Sequence, residues 1–393
     1  MYNLHTVSLL VILDVLFSLT RKENTVTDDV DGTLELIRDQ ALRLFKHSAT
    51  PEHLKQLLEA PGQFDSALWA AAVEQVWPAI ATPEAAGGIG LGWRGLCTLM
   101  EALGSHTVSL PLVGNAVAAA ALLDSGDPQL IDEPVAALSS GQAIACLSLG
   151  SPQPDNAATD TGLRWQADGL HGSTGLLAFA AVADYALVSA RAGDHNILLW
   201  VALAQPGVRR DIAATFDNGR AVAGLQFDGA RAEALSHSQQ PASHWLHLAA
   251  LATAFEQIGG ASACLFMARD FALERVAFGQ PIGRFQAIKH KVADIYARVE
   301  IARGCALEAL HAVEQNDSQA AALAIGARLA ALDAYEVAAR ENIQIHGGLG
   351  VTWEAWPHHY YRRSRALALE LGSQQAWRNA LLTQLGFDAA VQP

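Results

Sequence analysis

The sequence predicts an α+β fold in three parts. An N-terminal α-helical domain occupies 26–140, a middle β domain (a small barrel or sandwich) 141–235, and a C-terminal antiparallel four-helix-bundle domain 236–393. Three observations carry this. Apolar residues step by three and four on both flanks, short branched and aromatic runs broken by Gly and Pro fill the middle, and 393 residues suit two or three domains. Hydrophobic residues make up 51% and charged residues 17%, which excludes a disordered chain and allows a large core.

The elements follow in order. Val7 to Leu13 with Val15 to Phe17 is apolar, but it is too short to span a membrane and Asp14 interrupts it. No basic segment precedes it and no small-residue cleavage site follows, so residues 1–25 read as an extension and not a signal peptide. Leu34, Ile37, Leu42 and Leu44 mark a first helix, and Ala67–Val76, Leu96–Leu103 and Ala116–Leu123 continue the helical pattern. The glycines of Pro83–Gly92 superficially suggest a dinucleotide loop. No strand leads into them and no acidic residue closes a βαβ unit, so a plain connection is favoured. Strands are expected at Ala143–Leu149, Leu163–Ala167, Tyr185–Ala190, Ile197–Val201 and Gly224–Phe227. Gly150, Pro152, Gly169, Gly172 and Gly193 punctuate them. Four long helices follow, marked by Leu248–Ile258, Phe285–Val299, Ile325–Leu332 and Ala376–Leu385, with a break at Gly279–Gly283.

The charge balance excludes some partners. Lys and Arg total 26 against 40 Asp and Glu, a net charge of −14. Such a chain gains no counterion-release affinity for nucleic acid and suits an anionic membrane poorly. Cys97, Cys146, Cys264 and Cys305 are far apart, without a CxxC pair or a histidine at ligand spacing. This argues against a zinc site or a disulfide framework and fits a cytoplasmic protein.

Two segments are the most informative: Glu274-Arg275-Val276-Ala277-Phe278-Gly279-Gln280-Pro281-Ile282-Gly283-Arg284-Phe285-Gln286, and Gln344-Ile345-His346-Gly347-Gly348-Leu349-Gly350-Val351-Thr352-Trp353-Glu354 with Tyr361-Arg362-Arg363 after it. Arg275 closes a long helix, where its fork of donors suits a diphosphate; a surface ion pair with Glu274 or Asp270 is the alternative. Gly347-Gly348 lets backbone approach a ligand without an intervening Cβ, or equally caps a helix. His346 invites an acid–base reading, but a polar residue lining a cofactor groove is favoured.

Both segments resemble signatures of the acyl-CoA dehydrogenase family of flavoproteins, and the likeness covers nearly the whole chain after the extension. The Gly-Val-Thr-Trp-Glu variant is similar to the branch acting on bulky acyl-CoAs, including steroid side chains. The resemblance implies FAD as cofactor, an acyl-CoA substrate, and a homo-oligomer or a heteromer with a paralogous subunit. It implies that Arg275 and Gln286 contact the diphosphate and adenosine of FAD, with Phe278 packed beside the cofactor and Phe285 and Ser373 also at the FAD site. Gln344, Ile345, His346, Gly347 and Gly348 would bind FAD across a subunit interface.

The family reaction removes a proton from Cα and passes a hydride from Cβ to the flavin, so it needs a positioned base. In many members that base is a glutamate immediately before a Gly-Thr or Gly-Ser pair. Here that position holds Leu371 and Glu370 is one residue off, a rotation of about 100° on a helix, so Glu370 serves only if the segment is irregular. Another branch places the base where this chain has Ala249; Glu256 lies two turns on, embedded in an apolar run, and reads as a catalytic or an arginine-paired structural carboxylate. The residues expected against the flavin ring, Ser148–Pro152 and Thr174–Leu177, depart from the family pattern. Two readings therefore stand: an active dehydrogenase using Glu370 or Glu256, and a subunit that lends FAD-binding residues to a catalytic paralogue.

Overall fold

The computed structural model describes residues 28–152 and 162–387. The extension at 1–25, with its apolar stretch, lies outside the described residues.

Six helices come first: α1 (Asp28–Ser48), α2 (Pro51–Leu58), α3 (Ser66–Glu74), α4 (Gly92–Gly104), α5 (Leu112–Ser125) and α6 (Pro128–Ser139). In α1 the residues that reach the core are Leu34, Ala41 and Phe45, with Ile37, Leu42 and Leu44 only half-buried. Helix α6 was not among the expected helices. Asp127 caps it by accepting from Gln129 N at 3.0 Å, and Pro128 opens its first turn. The Pro83–Gly92 segment is a short 3-10 turn and loop between helices, as expected.

The middle region is one curled, mixed sheet of eight strands among the described residues: β1 (Ala145–Ser148), β2 (Leu163–Gln166), β3 (Gly169–Leu177), β4 (Tyr185–Ala192), β5 (His195–Ala202), β6 (Val208–Ile212), β7 (Ala223–Ala230) and β8 (Glu233–Ala234). Strands β1 and β2 both run parallel to β4, Ala145 opposite Tyr185 and Arg164 opposite Arg191. Hydrophobic patterning alone missed β3, β6 and β8. Gly169 and Gly172, expected as breaks, belong to β3; a Cβ at Gly172 would stand 2.0 Å from Gly162 O, just before the facing strand β2.

The C-terminal region is helical: α7 (Ala242–Glu274), α8 (Gln286–Glu314), α9 (Ala320–His346), α10 (Pro357–Leu369) and α11 (Gln374–Gln384). The fourth place beside α7, α8 and α9 is shared by α10 and α11. Helix α7 is long and apolar enough to cross a membrane, but 89% of its apolar stretch is buried inside the fold, and only its C-terminal end reaches the surface. Helix α4 crosses it at two glycines: a Cβ on Gly104 would lie 1.9 Å from Glu256 O, and one on Gly259 2.0 Å from Glu101 O. One core joins all three regions, from Phe45 and Leu99 through Val188 and Leu225 to Phe255, Ile258 and Ala338.

Candidate active site

A cleft of about 300 Å³ opens where the sheet meets the helices. The loop after β1 (Ser148–Ser151), the end of β3 (Gly175–Leu177), Leu246 of α7, Arg220 and the segment Leu369–Gly372 line it. The two stretches expected against a flavin ring therefore come together, with Ser148 buried at the cleft wall.

Glu370 lines this cleft because the chain is irregular there. Helix α10 ends at Leu369, and Glu370 is its extended cap (φ −69°, ψ 139°). Leu371 is left-handed at φ 63° and Gly372 follows at φ 106°. The 100° offset of a continuous helix thus does not apply. The Glu370 carboxylate, 19% exposed, accepts from Arg220 Nη2 at 2.8 Å.

Glu256 is fully buried on α7. Its Oε1 accepts from Arg220 Nη1 and Arg363 Nη1, each at 3.0 Å, and its Oε2 lies 3.3 Å from Arg220 Nη1. Arg363 also donates to Asp217, to Thr107 O at 2.9 Å, to Val108 O at 2.7 Å and to Ser109 Oγ at 2.6 Å. Arg328 donates to Gln257 Oε1 at 2.7 Å and to the carbonyls of Leu367 and Glu370 at 2.6 and 2.8 Å, fixing the end of α10. Three arginines thus balance Asp217, Glu256 and Glu370, and every member beyond Glu370 is buried. Burial opposes the charge of Asp217, but Arg363 outweighs it and holds the carboxyl below its usual range. Burial lowers Arg328 to about 10, and burial is likewise outweighed at Arg363 by Asp217 and Glu256, which raise it. Ala249 packs in the core and carries no functional group.

The remaining predicted residues gather at the far end of the helices. Arg275 caps α7, is exposed, and makes no ion pair among the described residues; Asp270 pairs with Arg269 at 2.8 Å instead. A tight hairpin follows, Val276–Ala277 against Gln280–Pro281, with Phe278 at its tip, 95% exposed and edge-on to Phe285 at 6.2 Å. Gln286 opens α8, whose N-terminus has no side-chain cap. Helix α9 ends at His346, and Gly347 turns the chain at φ 60°, ψ −140°, a region reserved for glycine. His346 stacks on Phe271 at 4.1 Å, which brings this corner to the Arg275 end. Its Nδ1 is engaged by Asn342 O at 2.9 Å and burial lowers its pKa, which suits a lining residue better than a base. Gln344 is exposed at the corner and Ile345 is buried beneath it. Ser373 lies apart: it caps α11, accepting from Ala376 N at 3.2 Å, next to the cleft.

Residues 239–386 match the sequence profile of the acyl-CoA dehydrogenase C-terminal domain, and residues 32–142 that of the N-terminal domain. The chain belongs to the acyl-CoA dehydrogenase family. Members of that family are oxidoreductases acting on CH–CH groups. The chain is 31% identical over 341 residues to acyl-CoA dehydrogenase IpdE2 of Mycobacterium tuberculosis, covering 86% of this chain and 93% of the relative. Among solved structures it resembles the Tcur3481–Tcur3483 steroid ACAD (TM-score 0.84, 27% identity, 92% of this chain and 100% of that one). It also resembles the ChsE4–ChsE5 complex from Mycobacterium tuberculosis (TM-score 0.82, 25% identity, 94% and 100%).

FAD is the cofactor this family implies. At the far end the chain's groups fit its diphosphate: an unpaired guanidinium, an uncapped helix N-terminus, and open space where a Cβ would stand on Gly347 and Gly348. Sequence reasoning missed Arg220, Asp217 and Arg328, and quoted Arg363 only as part of a motif. The signal was Glu256 itself: a carboxylate inside an apolar helix requires a cation, but nothing local says which of 26 supplies it.

Proposed function

We propose that this chain catalyses FAD-dependent α,β-dehydrogenation of an acyl-CoA thioester, with Glu370 as the base that takes the α-proton. The observation that carries this reading is the Glu370 carboxylate lining the cleft from an unwound helix end, one oxygen held by Arg220. Bound FAD would supply the hydride acceptor. Leu149, Leu177, Leu246 and Leu371 give the cleft an apolar wall for an acyl chain. Glu256, with no exposed surface and two guanidinium partners, holds the network together and has no path to the substrate.

The FAD-binding residues of one chain serve a flavin seated in the cleft of its neighbour. From Leu246, which lines the cleft, to Glu274 is 28 residues of continuous helix, about 42 Å, so the Arg275 corner lies most of the length of α7 from the chain's own cleft. Arg275, Phe278, Phe285, Gln286 and Gln344–Gly348 would hold the diphosphate and adenosine, and Ser373 the flavin side at the cleft. Exposed Phe278, Val276, Leu349 and Val351 surround that corner and suit burial against a neighbouring chain.

A second reading has a specific observation behind it: two similar solved structures are of paired proteins, by their names. In that reading the neighbour is a paralogue and this chain lends it the Arg275 corner, with or without chemistry of its own. The visible spectrum and native mass of the protein purified alone and with a co-expressed paralogue separate the two. Under the first reading the chain alone is yellow, oligomeric and bleached anaerobically by an acyl-CoA. A colourless, inert chain that turns yellow only with the paralogue supports the second.

A further inference from the structure

Glu370 leaves a helix end at a left-handed residue, so no regular backbone fixes where its carboxylate points. Among the described residues, one side chain hydrogen-bonds it, and that is Arg220. We propose that Arg220 is the positioning residue that aims Glu370 into the cleft, with buried Glu256 as its counter-ion and not a second base. This rests on the reading of Glu370 as the base.

Arg220 is built to be rigid. It ends a 3-10 turn, Asn218–Arg220, in which Asp217 Oδ1 accepts from Gly219 N at 3.3 Å and Asn218 Oδ1 from Thr215 N at 2.7 Å. Asn218 Nδ2 ties the turn to Leu58 O at 2.6 Å. The guanidinium lies over the ring of Phe179 at 5.4 Å and is 5% exposed. Its two terminal nitrogens divide the work, Nη1 going to Glu256 and Nη2 to Glu370, while Nε has no partner among the described residues. A planar fork bridges two carboxylates in this way; a single ammonium cannot hold both in the same directions. Glu256 is in turn held by Arg363, which is fastened to Asp217 on the same turn as Arg220. The base is therefore located by a closed loop of charges running through the turn between β6 and β7, α7 and α10, and its precision depends on each link.

The test uses the FAD-loaded protein in its native assembly and the variants R220Q, R220K, E256Q and E370Q, with kcat and KM taken per bound flavin in steady-state turnover with an added two-electron acceptor dye that reoxidises the flavin. The expected result is a kcat loss of about 100-fold for R220Q with KM changed less than about threefold, and recovery of roughly a tenth of the lost rate in R220K. E256Q, which keeps an acceptor but loses the charge, falls between R220K and wild type. A crystal structure of R220Q, read independently of activity, shows the Glu370 carboxylate turned from its place in the cleft. If R220Q does not fold, R220K and E256Q carry the same kcat-against-KM comparison. The proposal is overturned if both retain wild-type kcat, or if Glu370 keeps its position in R220Q. Full activity in E370Q refutes the parent reading instead, and E256Q as inactive as E370Q makes Glu256 the base.

Discussion

Asp217 and His359 both make the fold acid-sensitive, for different reasons. Asp217 has a depressed pKa, so its contribution is full above the ordinary aspartate range and is lost as pH falls through the depressed value. His359 is buried, and burial, then neighbouring His358, lowers it from 6.5 to about 4. The unfolded chain therefore binds that proton first, and stability falls as pH drops from 6.5 toward 4. Both effects have the same sign. Thermal melting followed against pH should show Tm steady above pH 6.5, declining toward 4, and falling further below as Asp217 is protonated. Asp217→Asn should lose the low-pH limb and start about 1–3 kcal/mol less stable, because Arg363 keeps Glu256 but loses the second of its two carboxylate partners. A flat Tm between pH 6.5 and 4 would contradict the assignment of His359.

At the scale of elements, the contact of α4 with α7 sets the depth of Glu256. Backbone meets backbone at Gly104 and Gly259, with no room for a methyl group on either side. Gly104→Ala should therefore destabilise the protein by roughly 1–3 kcal/mol in denaturant unfolding, through overpacking and not through helix propensity, which favours alanine. A stabilised variant would show that the helices can separate without loss. This junction was not legible in the sequence. Glycine inside a helical pattern looks like a weakness until its neighbour is known. The same holds for Gly169 and Gly172, expected as breaks and found within β3, where close strand approach excludes a side chain. The long helices were legible because their faces are apolar over many turns. The α7 helix lacks one polar face altogether, yet the three- and four-residue stepping of Leu248, Leu251, Phe255 and Ile258 still marked it.

In the whole molecule, the proposed nucleotide end of the site could be put forward from sequence because it is local: Arg275 to Gln286 and Gln344 to Gly348 are two continuous stretches. The reactive end was not, because it is assembled from the loop after β1, the end of β3, the turn at Arg220 and the end of α10, which periodicity cannot bring together. Glu370 looked misplaced by one residue only under the assumption of a continuous helix. The two ends lie on opposite parts of α7, so under the proposed reading chemistry in one cleft depends on a corner supplied by another chain. The most direct measurement of the account is anaerobic rapid mixing of the assembled flavoprotein with an acyl-CoA that bleaches the wild type. Glu370→Gln should bind flavin normally and slow its reduction by about 100- to 10,000-fold. Reduction at the wild-type rate in that variant would contradict the account.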